Sequence, residues 1–160
     1  EKYSCGLSYT RSSARSTQVV DFSIENPVFS SQGEGPLDWD APNRLISYGS
    51  MPAPYFRKWL VSYFLEWHSG LPYSVVDEAQ RRVGPPNSGR FPQYFSLNLH
   101  AERRIRFWHT EWALRAGFNN ITGNSNPTTI NNNIDSPDFG LYGGGEGRAF
   151  TGRIRFLGRN

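Results

Sequence analysis

The chain has 160 residues, a net charge of +3 and an aromatic share of 15% within a hydrophobic total of only 37%. So modest an apolar share, weighted so heavily to Trp, Tyr and Phe and accompanied by abundant Gly and Pro, excludes an ordinary helical domain. No apolar run reaches the roughly 18 residues that a membrane-crossing helix needs, which leaves strands as the way such a chain could meet a bilayer.

Six segments alternate with period two and are expected to be strands. In the first, Tyr3, Cys5, Leu7 and Tyr9 alternate with Ser4, Gly6, Ser8 and Thr10. The second, about Asn43 to Met51, places Ile46 and Tyr48 on one face. The third, about Lys58 to His68, puts Trp59, Val61, Tyr63, Leu65 and Trp67 on one side and leaves Glu66 on the other. In the fourth, Phe95, Leu97, Leu99 and Ala101 alternate with Ser96, Asn98, His100 and Glu102. In the fifth, Trp112, Leu114, Ala116 and Phe118 oppose Glu111, Arg115, Gly117 and Asn119. In the sixth, Phe150, Gly152, Ile154 and Phe156 oppose Thr151, Arg153 and Arg155. Each is about 8–12 residues long, close to the length that crosses a bilayer when tilted.

The connections alternate as well. Pro52-Ala53-Pro54 with its flanks, and Trp108-His109, are short, whereas the other three exceed about 20 residues and are rich in Gly, Pro, Asn and Ser. A soluble sandwich has no reason to gather its long loops at one end, but an outer-membrane barrel has tight turns below and long loops outside. The expected fold is therefore all-β, an antiparallel up-and-down transmembrane β-barrel sheet of six strands within residues 1–160. The loop containing Asn124-Ser125-Asn126-Pro127, Asn131-Asn132-Asn133 and Gly143-Gly144-Gly145 reads as exposed and flexible.

Parity assigns the faces. Trp59, Val61, Tyr63, Leu65, Leu97, Leu99, Trp112, Leu114, Phe118, Ile154 and Phe156 are expected to face outer-membrane lipid. Glu66, His100, Glu102, Arg104, Arg106, Glu111, Arg115, Arg153 and Arg155 are expected to face the lumen and to pair across strands. Arg103 breaks the parity near the short-turn rim, where snorkelling is cheap. Aromatics are expected at both rims: Tyr55, Phe56, Trp59, Phe107, Trp108 and Phe156 at the short turns, Trp67, Tyr94, Phe95 and Phe150 at the long loops.

No catalytic, cofactor or metal site is expected. Cys5 is the single cysteine, and His68, His100 and His109 lie on separate segments without ligand spacing. Ser69-Gly70 lacks the surrounding pattern of a nucleophile elbow, and Gly143-Gly144-Gly145-Glu146-Gly147 lacks the Lys and hydroxyl of a phosphate loop. Asp38 and Asp40 are expected to be solvated loop carboxylates. Glu102-Arg103-Arg104-Ile105-Arg106 distributes its charge over both parities with no recognition motif around it, so no nucleic-acid partner is expected.

Several stretches, in this order, resemble the end of TonB-dependent outer-membrane receptors. Trp39-Asp40-Ala41-Pro42-Asn43-Arg44-Leu45 resembles the lead into a descending strand, although Asn43 replaces the usual His. His68-Ser69-Gly70-Leu71-Pro72-Tyr73-Ser74 resembles a Ser-Gly-x-Pro-aromatic strand exit, and Arg90-Phe91-Pro92-Gln93-Tyr94-Phe95-Ser96-Leu97-Asn98-Leu99 the start of the strand after it. Gly117-Phe118-Asn119-Asn120-Ile121-Thr122-Gly123-Asn124 resembles the Asn-Leu-Thr-Asn signature, whose Asn side chains suit strand capping and turn geometry. Arg153-Ile154-Arg155-Phe156 resembles the terminal strand, although Leu157-Gly158-Arg159-Asn160 follow it.

The resemblance implies a barrel of about 22 strands, of which this chain would be about a quarter. It also implies import of a bulky nutrient (a siderophore, glycan or peptide) across the cell outer membrane of a Gram-negative bacterium, without enzymatic activity. The expected partners are membrane lipid, the remaining strands, the barrel's own plug domain, a TonB-type energy-coupling complex and the nutrient ligand. With no Met or apolar leader at Glu1, the export signal, plug and coupling box are expected upstream. Leu60 and Phe64, apolar on the inward parity, are expected to touch the plug. A porin- or adhesin-like barrel without energy coupling and a soluble carbohydrate-binding β-sandwich remain as alternatives.

Overall fold

The computed structural model describes residues 3–19, 33–53, 55–56 and 58–159. Of the Pro52-Ala53-Pro54 turn, Pro54 lies outside the described residues. In chain order the strands are β1 (Ser4–Arg11), β2 (Arg15–Val19), β3 (Gly33–Pro36), β4 (Asn43–Pro52), β5 (Trp59–His68), β6 (Pro72–Tyr73), β7 (Gly89–Arg90), β8 (Tyr94–Phe107), β9 (Thr110–Asn119), β10 (Thr129–Ile130), β11 (Tyr142–Gly143) and β12 (Ala149–Arg159). The six long strands form one antiparallel sheet in the order β1-β4-β5-β8-β9-β12, so each pairs with the next long strand along the chain. The shorter pairs β2-β3, β6-β7 and β10-β11 decorate the three long connections. Among the described residues the fold is all-β, with no helix.

The register fixes both faces, because residues directly opposite one another share a side. Trp59 faces Arg103 and Leu65 faces Leu97; Leu99 faces Phe118, Trp112 faces Phe156 and Leu114 faces Ile154. Carried across the ladders, this places all eleven residues expected to meet lipid on one side, joined by Cys5, Leu7 and Tyr9 of β1. The opposite side carries Glu66, His100, Glu102, Arg104, Arg106, Glu111, Arg115, Arg153 and Arg155, with Leu60 and Phe64 among them.

Among the described residues no strand packs over the apolar side. Among the described residues, extensive contacts between strands are those of hydrogen-bonded neighbours. Leu7, Ile154 and Phe150 stay 72%, 71% and 67% exposed, and among the described residues the buried hydrophobic ones are Val19, Val76 and Ala113. A large exposed apolar surface of this kind marks a partner or membrane surface.

The strand ends are staggered. Trp59, the first residue of β5, faces Arg103, and β8 continues four residues further to Phe107. At the other end Tyr94 faces His68, whereas β9 stops at Asn119, next to the Phe118–Leu99 pair. Both ends step the same way, as in a tilted, sheared strand array.

The turns follow from local chemistry. Trp108 and His109 both adopt positive φ, 42° and 57°, and make the two-residue hairpin whose twist suits antiparallel strands. Asn-Gly is the usual occupant; here Trp108 stacks on Phe107 with ring centroids 5.4 Å apart. Near the other short turn, the Ala53 amide donates to the Trp59 carbonyl and the Trp59 amide to the Phe56 carbonyl.

One rim aromatic stands apart from the others, and one expectation needs correction. Tyr94 lies at the long-loop end but on the polar face, stacked on His68 at 4.7 Å, because it pairs in register with that residue. The sixth strand does not finish at Phe156: a bulge after that residue absorbs Leu157, and pairing resumes from Gly158 opposite Glu111 to Arg159 opposite Thr110.

Candidate functional site: a polar strand face beneath interlocked loops

On the polar face, small residues of β9 alternate with large ones and let neighbouring side chains cross. Gly117 stands between His100 on β8 and Thr151 on β12, and the imidazole Nε2 lies 3.0 Å from the threonine hydroxyl. A Cβ at position 117 would sit 2.1 Å from the Leu99 carbonyl oxygen and 2.9 Å from the imidazole, so only glycine permits this crossing. Four residues earlier on β9, Ala113 stands between Arg104 and Arg155 and is 2% exposed. Arg155 reaches across it to Glu102, with N···O 3.4 Å.

Cross-strand pairing therefore occurs for part of the expected charged set. Glu102 pairs with Arg155, while Glu66 takes Arg44, a residue outside that set, at 2.6 Å. Arg104, Arg106, Glu111, Arg115 and Arg153 make no ion pair among the described residues. Arg115 and Arg153 instead stand directly opposite one another. Beside them a recess of about 310 Å³ is lined by His100, Arg115, Asn119, Thr151, Gly152 and Arg153. Leu60 and Phe64 are each 40% exposed on this side, with no described element over them.

At the long-loop end the three connections lock together. Asn87, 3% exposed, donates its side-chain amide to the Pro36 carbonyl and to Asp38, and its backbone amide donates to the Ser74 hydroxyl. The Val76 amide donates to the Asn132 carbonyl, the Ile134 amide donates to the Val76 carbonyl, and the Asn132 side chain donates to the Ser74 carbonyl. Tyr73, Phe91 and Tyr142 add edge and tilted ring contacts at 5.4 and 5.9 Å. Burial, reinforced by Tyr142, pushes the Tyr73 phenol above its ordinary pKa.

Asp40 fastens the first and second loops. It is 4% exposed, accepts the Ala14 amide at 2.7 Å and holds the Arg90 guanidinium at 2.5 Å, while Arg90 also donates to the carbonyls of Asp40 and Gly70. Burial raises the Asp40 pKa, but the Ala14 amide and the Arg90 charge outweigh it and hold the carboxyl below its usual range. The expectation of two solvated carboxylates is thus corrected for Asp40, which is buried in an ion pair, whereas Asp38 is exposed and accepts Asn87 at 2.6 Å.

The third loop is likewise not the loose segment its composition suggests. Asn126 caps β8 through its side chain, accepting the Phe95 amide at 3.0 Å and donating to the Phe95 carbonyl at 2.9 Å. Asn120, buried with φ of 47°, donates to the carbonyls of Asn124 and Glu146. Gly145 has φ of 96°, and a Cβ there would lie 2.0 Å from the Ser125 carbonyl oxygen, so this glycine serves a close backbone approach. Asn in the Asn119-Asn120 stretch does supply both the capping and the turn geometry its composition suggests.

Beneath the loops a recess of about 190 Å³ is walled by the stacked His68–Tyr94 pair with Leu71, Phe91, Asn126 and Thr128. Among the described residues no group of His, Cys, Asp and Glu is placed to hold a metal ion. Sequence reading missed Arg90, Asn87, Ser74, Asn126 and Thr151. Their roles depend on contacts across 13 to 58 residues of chain, most of them between separate connections or strands.

Comparison with protein-family models, curated proteins and solved structures yields no match for this chain.

Proposed function

We propose that this chain is a wall segment, with three surface loops, of an outer-membrane β-barrel, and specifically of a TonB-dependent receptor that imports a bulky nutrient. The observation that carries the membrane reading is the uncovered apolar face of a single-layered, sheared sheet whose polar face is charged. Trp59 and Trp67 bound that face on β5 at eight residues' separation. This is about 27 Å along the strand and about 21 Å along the bilayer normal at a tilt of about 40°, against an apolar band about 25 Å tall. Edge-on ring pairs, Trp112–Phe156 and Phe118–Phe150, stand at the two ends of β9 on the same side, as interfacial girdles do.

The receptor assignment rests on the resemblance of the ordered sequence stretches, and is supported by loops that converge into a cap above a recess. In this reading the loops capture the nutrient. The plug and the TonB-type energy-coupling complex act through parts of the protein outside this chain, with Leu60 and Phe64 touching the plug. A carbohydrate-binding sandwich would need a second sheet over the apolar face, and the described residues place none there.

Single cysteines in a Cys5→Ser background test the orientation. Glu78→Cys lies in the long β5–β8 connection, and Tyr55→Cys, at a site 91% exposed, lies in the short β4–β5 turn. On intact cells a membrane-impermeant maleimide is expected to label the loop cysteine and spare the turn cysteine until the outer membrane is opened. Equal labelling of both, or recovery of the protein outside the outer-membrane fraction, contradicts the reading.

A further inference from the structure

We infer that the recess between β9 and β12 is a binding site for an oxyanion, a carboxylate or phosphate group carried by the solute that enters the lumen. Naming that solute as cargo rests on the barrel reading above; the site itself rests on the sheet.

Arg115 and Arg153 are direct cross-strand partners, which brings their Cβ atoms within about 4.5–5.5 Å. Like charges so placed destabilise a sheet unless an anion offsets them. The carboxylate in register with Arg115 is Glu102, yet Glu102 is engaged by Arg155 on the other side of Ala113. No ion pair among the described residues involves the Arg115 or the Arg153 guanidinium. Two planar donor forks thus share one recess of about 310 Å³ without a carboxylate among its lining residues.

The rest of the wall suits the same ligand. Asn119 supplies an amide, and the Thr151 hydroxyl is held by the His100 ring across Gly117. Guanidinium forks bind carboxylate and phosphate oxygens through paired, charge-assisted hydrogen bonds. The recess is open on the polar face, and its volume admits a solute group of several heavy atoms.

The test uses the protein at its full encoded length, folded in neutral detergent micelles, with inorganic phosphate and then citrate as probes. The His100 imidazole resonance is followed by NMR, with sodium chloride at matched ionic strength as the reference. Saturable shifts are expected with phosphate or citrate and absent with chloride. Arg153→Gln is expected to weaken binding at least about tenfold, the lower end of what a hydrogen bond to a charged group contributes. Arg153→Lys, which keeps the charge and loses the fork, is expected to fall between, and serves if the glutamine variant does not fold.

No saturable shift beyond that of chloride, or unchanged affinity in Arg153→Gln, overturns the inference. An acidic side chain from outside this chain seated in the recess would keep both probes out, and that outcome overturns it too. The maleimide pattern on cells is read independently, so an oxyanion site can survive failure of the membrane reading, and the reverse.

Discussion

Replacing Asp40 with Asn will unfasten the loop cap. The substitution leaves the Arg90 guanidinium facing a neutral amide and removes the carboxylate that accepts the Ala14 amide at 2.7 Å. Breaking a buried pair from one side costs about 3–5 kcal/mol, and because Arg90 is 36% exposed the lower figure, about 3 kcal/mol, is expected here. The loss is local. Amide hydrogen exchange in the first and second long loops should accelerate by about two orders of magnitude, with the central strands unaffected.

The same lock predicts a pH dependence. The Asp40 carboxyl titrates below its ordinary range in the folded protein. Its contribution is therefore fully present above the unfolded value near pH 4 and is lost as pH falls through the lower folded value. Loop protection should hold from neutral pH down to about pH 4 and fade below it, and Asp40→Asn should abolish that dependence. Protection that stays constant to pH 2, or exchange unchanged in the variant, contradicts the role given to Asp40.

A charge at the centre of the apolar face should do more damage than the same charge on the polar face of the neighbouring strand. Leu99 lies mid-strand on β8, between Tyr63 and Phe118, and is 38% exposed. In a bilayer, Leu99→Arg is expected to cost about 2–4 kcal/mol, the figure for a basic residue near the midplane of a lipid-facing strand, and to lower the yield of folded protein sharply. Ser62→Arg, on the polar face opposite Ser50 and His100, should change folding by less than about 1 kcal/mol. Folding into phosphatidylcholine vesicles in a urea series reads both. Equal tolerance of the two substitutions would sink the two-face account.

The sheet was legible because its information is local. Period-two alternation in Trp59 to Trp67 and in Phe95 to Glu102 needs no knowledge of the partner strand, and pairing in register brings the two sets to common faces. Arg103, the parity breaker, sits on the apolar side with its guanidinium 5.8 Å from the Trp59 ring, near the short turns. The extent of β8 and the bulge after Phe156 were not legible, because β8 carries polar residues at its short-turn end and a bulge depends on the neighbouring strand.

The loops were illegible for a different reason. Asn, Ser, Gly and Pro read as flexible when each segment is taken alone, yet Asn87 and Asn132 find partners on a neighbouring connection and Asn126 finds its partner on β8. The Arg115–Arg153 opposition also escaped the sequence, since the two residues stand 38 positions apart and become neighbours only through the β9–β12 register.

The central claim, that the apolar face lies against lipid, is tested most directly by spin labels placed one at a time along β8 from Phe95 to Arg104, in a Cys5→Ser background and in bilayers. The account predicts that collisions with oxygen peak at Phe95, Leu97, Leu99 and Ala101, and that collisions with a water-soluble nickel reagent peak at the residues between them. Nickel accessibility at Leu97 and Leu99 equal to that at Asn98 and His100, or no alternation along the strand, would contradict it.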